Sequence, residues 1–250
     1  MTNSDQKLIA LIDLPAALGL LTRLPIPVPQ TQAVARGAAA AWAYPLAGAV
    51  VGVILATFVA VLTWGGLPVG IVAALVIAAN VIITGAMHED GLADCADGFW
   101  GGWDVARRLE IMKDSHIGVY GVLALGLSLL IRWLGVSALI ALDIYWAGLI
   151  AIAVLSRGGM VVLMALMKNA RDTGLSKSVG RPSATTALIA AGISLLIAGS
   201  LGQFALIIAA TLAVLACGLI ARAKIGGQTG DVLGATQQIT EITLLLVLLS

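Results

Sequence analysis

Charge is scarce in this chain. Asp, Glu, Lys and Arg make up 11% of it, against about 25% in a soluble domain. With 60% hydrophobic residues and a mean hydropathy of +1.04, the shortage excludes an ordinary water-soluble fold. Basic tracts are missing and the formal net charge is +1, so no nucleic-acid partner is expected. Cysteine is nearly absent. Cys95 and Cys217 have no metal-binding spacing and predict no disulfide; Cys95 reads as a small filler beside Asp94. Short alternating segments are also lacking, which argues against a β-barrel. The start makes a poor signal peptide, because Asp13 and Pro15 interrupt its apolar core.

What is present is a series of apolar runs near the ~20 residues that cross a bilayer. The runs predict an all-α polytopic membrane helical bundle forming one domain over residues 1–250. Spans are expected over Gly37–Trp64, Val69–Met87, Gly118–Leu142, Ile144–Met167, Ala184–Ser200 and Phe204–Ala221. Asp231–Ser250 either spans as a seventh helix or only dips in. Residues 7–24 predict an interfacial or re-entrant helix, stopped by Pro25 and Pro27.

The turns near Gly65, Asp143 and Gln203 carry no Lys or Arg, whereas the intervening polar segments carry nearly all of them. Positive charge marks the cytoplasmic side, so the polar segments are expected there. Two arginines fall within spans. Arg132, beside Trp133, is expected to snorkel to the outer interface. Arg157 sits mid-helix, where it either binds an anion or pairs with a buried carboxylate.

Seven of the 13 acidic residues lie between Glu89 and Asp114, framed by His88 and His116. Asp90, Asp94 and Asp97 are spaced i, i+4, i+7 and share one helix face. Three carboxylates there repel unless a cation neutralises them, and oxygen ligands favour Mg²⁺ or Mn²⁺ over zinc. Gly101-Gly102 predicts a turn that returns Asp114 toward this triad as a ligand or general base. Lys113 and Arg108 are candidates to hold phosphate oxygens, with Arg107 left at the surface. A second cluster joins Asp231, Gln238 and Glu241 on one helix face, capped by Thr229. A third patch begins at Arg171. Metal-binding carboxylates, phosphate-holding cations and a membrane face together suggest phosphoryl transfer on a membrane-delivered substrate.

The chain resembles the cobalamin synthases, also called adenosylcobinamide-GDP ribazoletransferases. The resemblance lies in Thr22-Arg23-Leu24-Pro25, Tyr44-Pro45-Leu46, Thr84-Gly85 through Asp97-Gly98, Ile111-Met112-Lys113-Asp114-Ser115, Ala170-Arg171 with Gly174-Leu175, and Thr229 through Ala235 with Glu241. Glu89 departs from that pattern and is not carried over. The resemblance implies transfer of α-ribazole, or its 5′-phosphate, onto adenosylcobinamide-GDP with release of GMP. It implies Mg²⁺ as cofactor and the bacterial inner membrane as location; a homo-oligomer stays open. Asp90, Asp94, Asp97, Asp231 and Glu241 would be the metal set. Asp94, Lys113 and Asp114 would be catalytic. Arg23, Arg108, Ser115, Arg157, Arg171, Thr229 and Gln238 would bind substrate. The runner-up enzyme is a phospholipid synthase of the CDP-alcohol type. The runner-up outside enzymes is a cation transporter with Asp90, Asp94, Asp97 and Glu241 along its path.

Overall fold

The computed structural model describes residues 7–250. Its helices in chain order are α1 (Asp13–Leu21), α2 (Gln30–Arg36), α3 (Tyr44–Trp64), α4 (Val69–Thr84), α5 (Met87–Gly101) and α6 (Val105–Ile111). They continue as α7 (Val119–Ala141), α8 (Tyr145–Leu166), α9 (Leu175–Val179), α10 (Ala184–Ser200), α11 (Phe204–Ile225) and α12 (Gly230–Leu248). A 3₁₀ segment, Gly37–Ala43, leads into α3. The only β-pairing among the described residues is one isolated bridge, Asn169 with Gln228.

Five stretches are long and apolar enough to cross a bilayer: Gln30–Trp64, α7, α8, α11 and α12. The helices α4 and α5 meet the same length and apolarity only as a pair, and they are bent from each other by 89°. The apolar helix α10 is shorter. This is the expected bundle, and the last segment is one continuous helix, long and apolar enough to span.

The bend corrects the second predicted span, which ends at Thr84 instead of Met87. Gly85 (φ +66) and Ala86 (φ +57) both take the left-handed conformation, which is costly for a residue with a Cβ. Two such residues in succession turn the chain out of α4. We read α4 as the apolar limb and α5, with Glu89, Asp90, Asp94 and Asp97, as a polar limb outside the spanning segments.

The N-terminal expectation also changes. The helical part of the segment 7–24 is α1, shorter than expected, and its Asp13 is fully buried. Its carboxylate accepts bonds from Arg36 Nε (2.6 Å) and Trp42 Nε1 (2.8 Å), which fold α1 back onto the 3₁₀ segment. The short helix α2 has no counterpart in the predicted spans. Its residues lack an apolar periodicity.

Helix α8 is the central post, buried along most of its length. Its closest neighbour is α3, and the approach depends on glycine. A Cβ on Gly52 would stand 2.7 Å from Ile150 Cα and 3.0 Å from Leu149 O. One apolar cluster, including Val51, Leu55, Leu139, Leu155 and Leu244, fills the end near the tight turns. A second, including Leu21, Tyr44, Met160, Met164 and Leu233, fills the polar end. There the Lys- and Arg-rich segments meet: Ala170 N–H donates to Gln228 O at 2.8 Å, and Arg108 Nη1 to Lys224 O at 2.8 Å.

Gly52→Ala should destabilise the protein by about 1–3 kcal/mol through overpacking. Gly126→Ala, where an added Cβ meets nothing within 4 Å, should be neutral or slightly stabilising. Thermal midpoints in one detergent check the pair; equal midpoints for the two variants would contradict the close α3–α8 contact.

Candidate active site

Two helices bring carboxylates together at the polar end. Asp90 and Asp94 lie one turn apart on α5, and Asp231 stands in the first turn of α12. The helices can meet because residue 91 is glycine. A Cβ there would be 2.6 Å from Asp231 O and 3.0 Å from Asp231 Cα. Thr229 caps α12, accepting from Val232 N–H at 3.2 Å, and its hydroxyl donates to Asp231 Oδ2 at 3.1 Å. Arg171 Nη2 donates to the same oxygen at 3.1 Å. The guanidinium's Nη1 is buried with no hydrogen-bond partner among the described residues.

This corner has the electrostatics expected of crowded acids. Burial, then the nearby charges of Asp90 and Asp231, push the Asp94 carboxyl up to about 7. Among the described residues no three His, Cys, Asp or Glu side chains form a ready cage for an ion. The donors nevertheless fit Mg²⁺ in kind. They are all oxygen, they repel one another, and Mg²⁺ keeps several waters and needs only one or two carboxylates.

Other residues expected in the site are placed elsewhere. Asp97 turns toward α7, where its two oxygens accept from Gly118 N–H (2.7 Å) and Gly121 N–H (2.9 Å). It caps that helix from outside, and a Cβ on either glycine would strike its carboxylate. Lys113, Asp114 and Ser115 lie in the exposed turn between α6 and α7. Asp114 does not return to the triad. It accepts from His116 N–H (3.1 Å) and pairs with His116 Nδ1 (2.7 Å), and that imidazole holds its carboxyl below the usual range. Arg108 is not a phosphate ligand here: its nitrogens donate to the carbonyls of Gly102, Trp103 and Lys224, locking the α5–α6 turn to the end of α11. Arg107 is at the surface, as expected, paired with Glu110. Arg23 is exposed beside the Gly85 corner.

Glu241 and Gln238 also leave the predicted pocket. Glu241 is ten residues along α12 from Asp231, about 15 Å at 1.5 Å per residue, so the two cannot share an ion. Instead Arg132, 1% exposed, donates to Glu89 Oε1 (2.8 Å), Glu241 Oε1 (3.0 Å) and Gln238 Oε1 (3.1 Å). Gln237 extends the network, donating to Glu241 Oε2 (2.7 Å) and Ser156 Oγ (3.3 Å). Arg132 therefore does not snorkel outward. A charge with a partner inside the bundle avoids the cost of an unpaired one in hydrocarbon. Arg157 pairs with no carboxylate among the described residues, so of its two expected roles the ion pair is not formed. Its Nη1 donates to Ala153 O (3.2 Å) and Ser156 Oγ (3.4 Å), while Nε and Nη2 have no partner among the described residues. The residue that sequence reasoning set aside is Glu89. Its signal was charge balance: Arg132 and Glu241 are opposite charges isolated in apolar runs, and the arginine needs a further acid.

The model of the cobalamin-5-phosphate synthase family matches residues 13–249, nearly the whole chain. The chain belongs to that family. Similar proteins named adenosylcobinamide-GDP ribazoletransferase include those of Mesorhizobium japonicum, Bradyrhizobium diazoefficiens and Azorhizobium caulinodans. The first is 45% identical over 239 residues, covering 94% of this chain and 92% of the relative. The second is 41% identical, with 94% and 92% covered; the third is 43% identical, with 94% of each covered. No solved structure matches. The family match runs from α1 to the end of α12, so it includes both helices that supply the carboxylate corner.

Two outcomes follow from this geometry. Arg132→Met strands two buried carboxylates and should destabilise the protein by about 3–5 kcal/mol. The triple variant Arg132→Met/Glu89→Gln/Glu241→Gln should recover much of that loss in the same unfolding assay. For Asp94 the sign is that of a raised acid. The folded state holds the proton more tightly than the unfolded chain, so stability is present at low pH and lost as pH rises through about 7. Without divalent cation the thermal midpoint should be lower at pH 8 than at pH 6, and Mg²⁺ should restore it at pH 8. Asp94→Asn should remove the pH dependence; its persistence would place the titration elsewhere.

Proposed function

We propose that this chain is the enzyme that closes the nucleotide loop of cobalamin. It joins α-ribazole, or its 5′-phosphate, to adenosylcobinamide-GDP and releases GMP. The observation that carries the reading is the close packing of α5 on α12 at Gly91, which sets Asp90 and Asp94 near Asp231 and its partner Arg171. It suits a diphosphate that must be held, neutralised and attacked.

The reaction forms one bond and breaks one. A ribose hydroxyl oxygen of α-ribazole bonds to the phosphorus on the cobinamide side. The bond from that phosphorus to the GMP oxygen breaks, and GMP departs with the electron pair. Asp90 and Asp231 would hold Mg²⁺, whose charge offsets that of the diphosphate when it is bound. Arg171 holds a phosphate oxygen through Nη1, the guanidinium nitrogen left without a partner. Asp94 takes the hydroxyl proton. Its carboxyl, raised to about 7, lies where a general base works best near neutral pH. Asp114 is less suited, since its hydrogen bonds with His116 lower its carboxyl.

The site opens at the bundle end that gathers the Lys and Arg segments. Apart from Arg132 and Arg157 every basic residue lies in those segments. We place that end in the cytoplasm of a bacterium, with the protein in its inner membrane.

Purified protein in liposomes, given adenosylcobinamide-GDP, α-ribazole 5′-phosphate and Mg²⁺, should release GMP; a rate equal to the metal-free control would overturn the reading. Asp94→Asn should lower kcat by about 10²- to 10⁴-fold while the protein stays membrane-inserted. In the wild type kcat/KM should climb with pH to a plateau above about 7, as Asp94 loses its proton.

A further inference from the structure

A large cleft lies among the N-terminal helices. Its volume is about 660 Å³. It is walled by α1, the segment after it, α2, the start of α3 and α9, with Leu20, Arg23, Ala33, Tyr44 and Leu175 among its lining. A smaller cavity of about 50 Å³ shares Leu20, Tyr44, Leu175 and Val179 with it. That cavity is also lined by His88 and by Gly230, Leu233 and Gly234 of α12, the backbone that carries Asp231. The shared walls set the cleft next to the first turns of α12, the helix that carries Asp231.

The lining selects among ligands. It is mainly apolar, contains no Asp or Glu, and has one cation, Arg23. Arg23 is set rather than loose. Its backbone N–H donates to Ile83 O at 2.6 Å. Its guanidinium lies over Gly85, where a Cβ would come within 2.5 Å of Nε. It has no ion-pair partner among the described residues, so it stands ready for an anion at the corner between α4 and α5.

The geometry points to this cleft as the berth of the nucleoside substrate, α-ribazole or its 5′-phosphate, with Arg23 on the 5′-phosphate. This inference rests on the reaction proposed above. Three arguments favour this occupant. The dimethylbenzimidazole base is flat and apolar, with no exocyclic donors, and suits a lining without carboxylates. Guanine, with its row of donors, would be left unmatched there, and unmatched buried donors are costly. The volume falls within the range of pockets for compact ligands, about 300–1,000 Å³, whereas a corrin ring with its side chains is far bulkier than a nucleotide. Arg23 has no role at the diphosphate, because Arg171 already stands at the corner. A separate cation in the nucleoside cleft fits a separate phosphate.

Steady-state kinetics on the full chain in liposomes test the assignment. Arg23→Ala should raise KM for α-ribazole 5′-phosphate at least tenfold. It should change KM for unphosphorylated α-ribazole, and for adenosylcobinamide-GDP, by less than twofold. Ala33→Trp, which fills the cleft from α2, should raise KM for both nucleoside forms while sparing adenosylcobinamide-GDP. The cleft assignment fails if these variants move KM for adenosylcobinamide-GDP instead, or if Arg23→Ala leaves KM for the 5′-phosphate unchanged. Should Ala33→Trp not fold, Arg23→Ala decides alone, since its side chain is exposed. Absence of GMP release by the wild type would sink the reaction and not the cleft. Equilibrium binding of α-ribazole 5′-phosphate, followed by benzimidazole fluorescence, would then settle the cleft: at least tenfold weaker binding by Arg23→Ala supports it, and equal binding refutes it.

Discussion

Arg132 is the interaction on which the rest depends. It lies in the bundle, in a medium where an unpaired charge is expensive, and it is satisfied only because three helices converge on it. Glu89 comes from α5, Glu241 and Gln238 from α12, and Arg132 itself from α7. None of these side chains performs chemistry in the proposed reaction. Their contacts nonetheless fix where α5 lies against α12. Once that register is set, Gly91 meets the backbone of Asp231 and the acids of α5 lie near that of α12. The site is thus a by-product of a structural ion network that begins at the neighbouring residue Glu89 and runs deeper along α12 to Glu241.

Two backbone devices make that register possible. The left-handed pair Gly85-Ala86 turns the chain by 89° so that a charged helix can follow an apolar one without a long loop. Asp97 then ties the far end of α5 to the first turn of α7. Helix α5 is therefore held at its start by the buried ion pair and near its end by a cap. Asp90 and Asp94 lie between these anchors. Such confinement suits groups that must keep crowded negative charge near a substrate of the same sign.

Much of this was legible in the sequence. Hydropathy located the apolar helices to within a few residues, because a bilayer imposes length and polarity directly. The spacing of Asp90 and Asp94 gave a shared helix face, and the glycine-rich turn with Thr229 marked the start of α12. What could not be read was partnership. Asp97 has the spacing of its neighbours on α5, yet two backbone N–H groups of α7 claim it. Glu241 shares a face with Asp231 but lies three turns deeper, beside an arginine more than a hundred residues away in sequence. Arg108 has the chemistry of a phosphate ligand, but carbonyls occupy it. Periodicity assigns a direction to a side chain and says nothing about what stands there. The bend at Gly85 was hidden for a related reason. Ala86 carries no sequence mark of a left-handed residue, and only the surrounding contacts impose it.

The last helix also governs when the molecule becomes whole. As the chain is made, α5 and α7 precede α12, so Glu89 and Arg132 can meet early while one side of the arginine stays unmatched. Helix α12 then brings Glu241 to the arginine and Asp231 to the face of α5 in a single insertion. Completion of the buried charge and assembly of the reactive corner are the same physical event. A nascent protein lacking its C-terminal helix would therefore be unfinished as a fold and inert as an enzyme, with no interval in which a half-built site could act on a passing diphosphate.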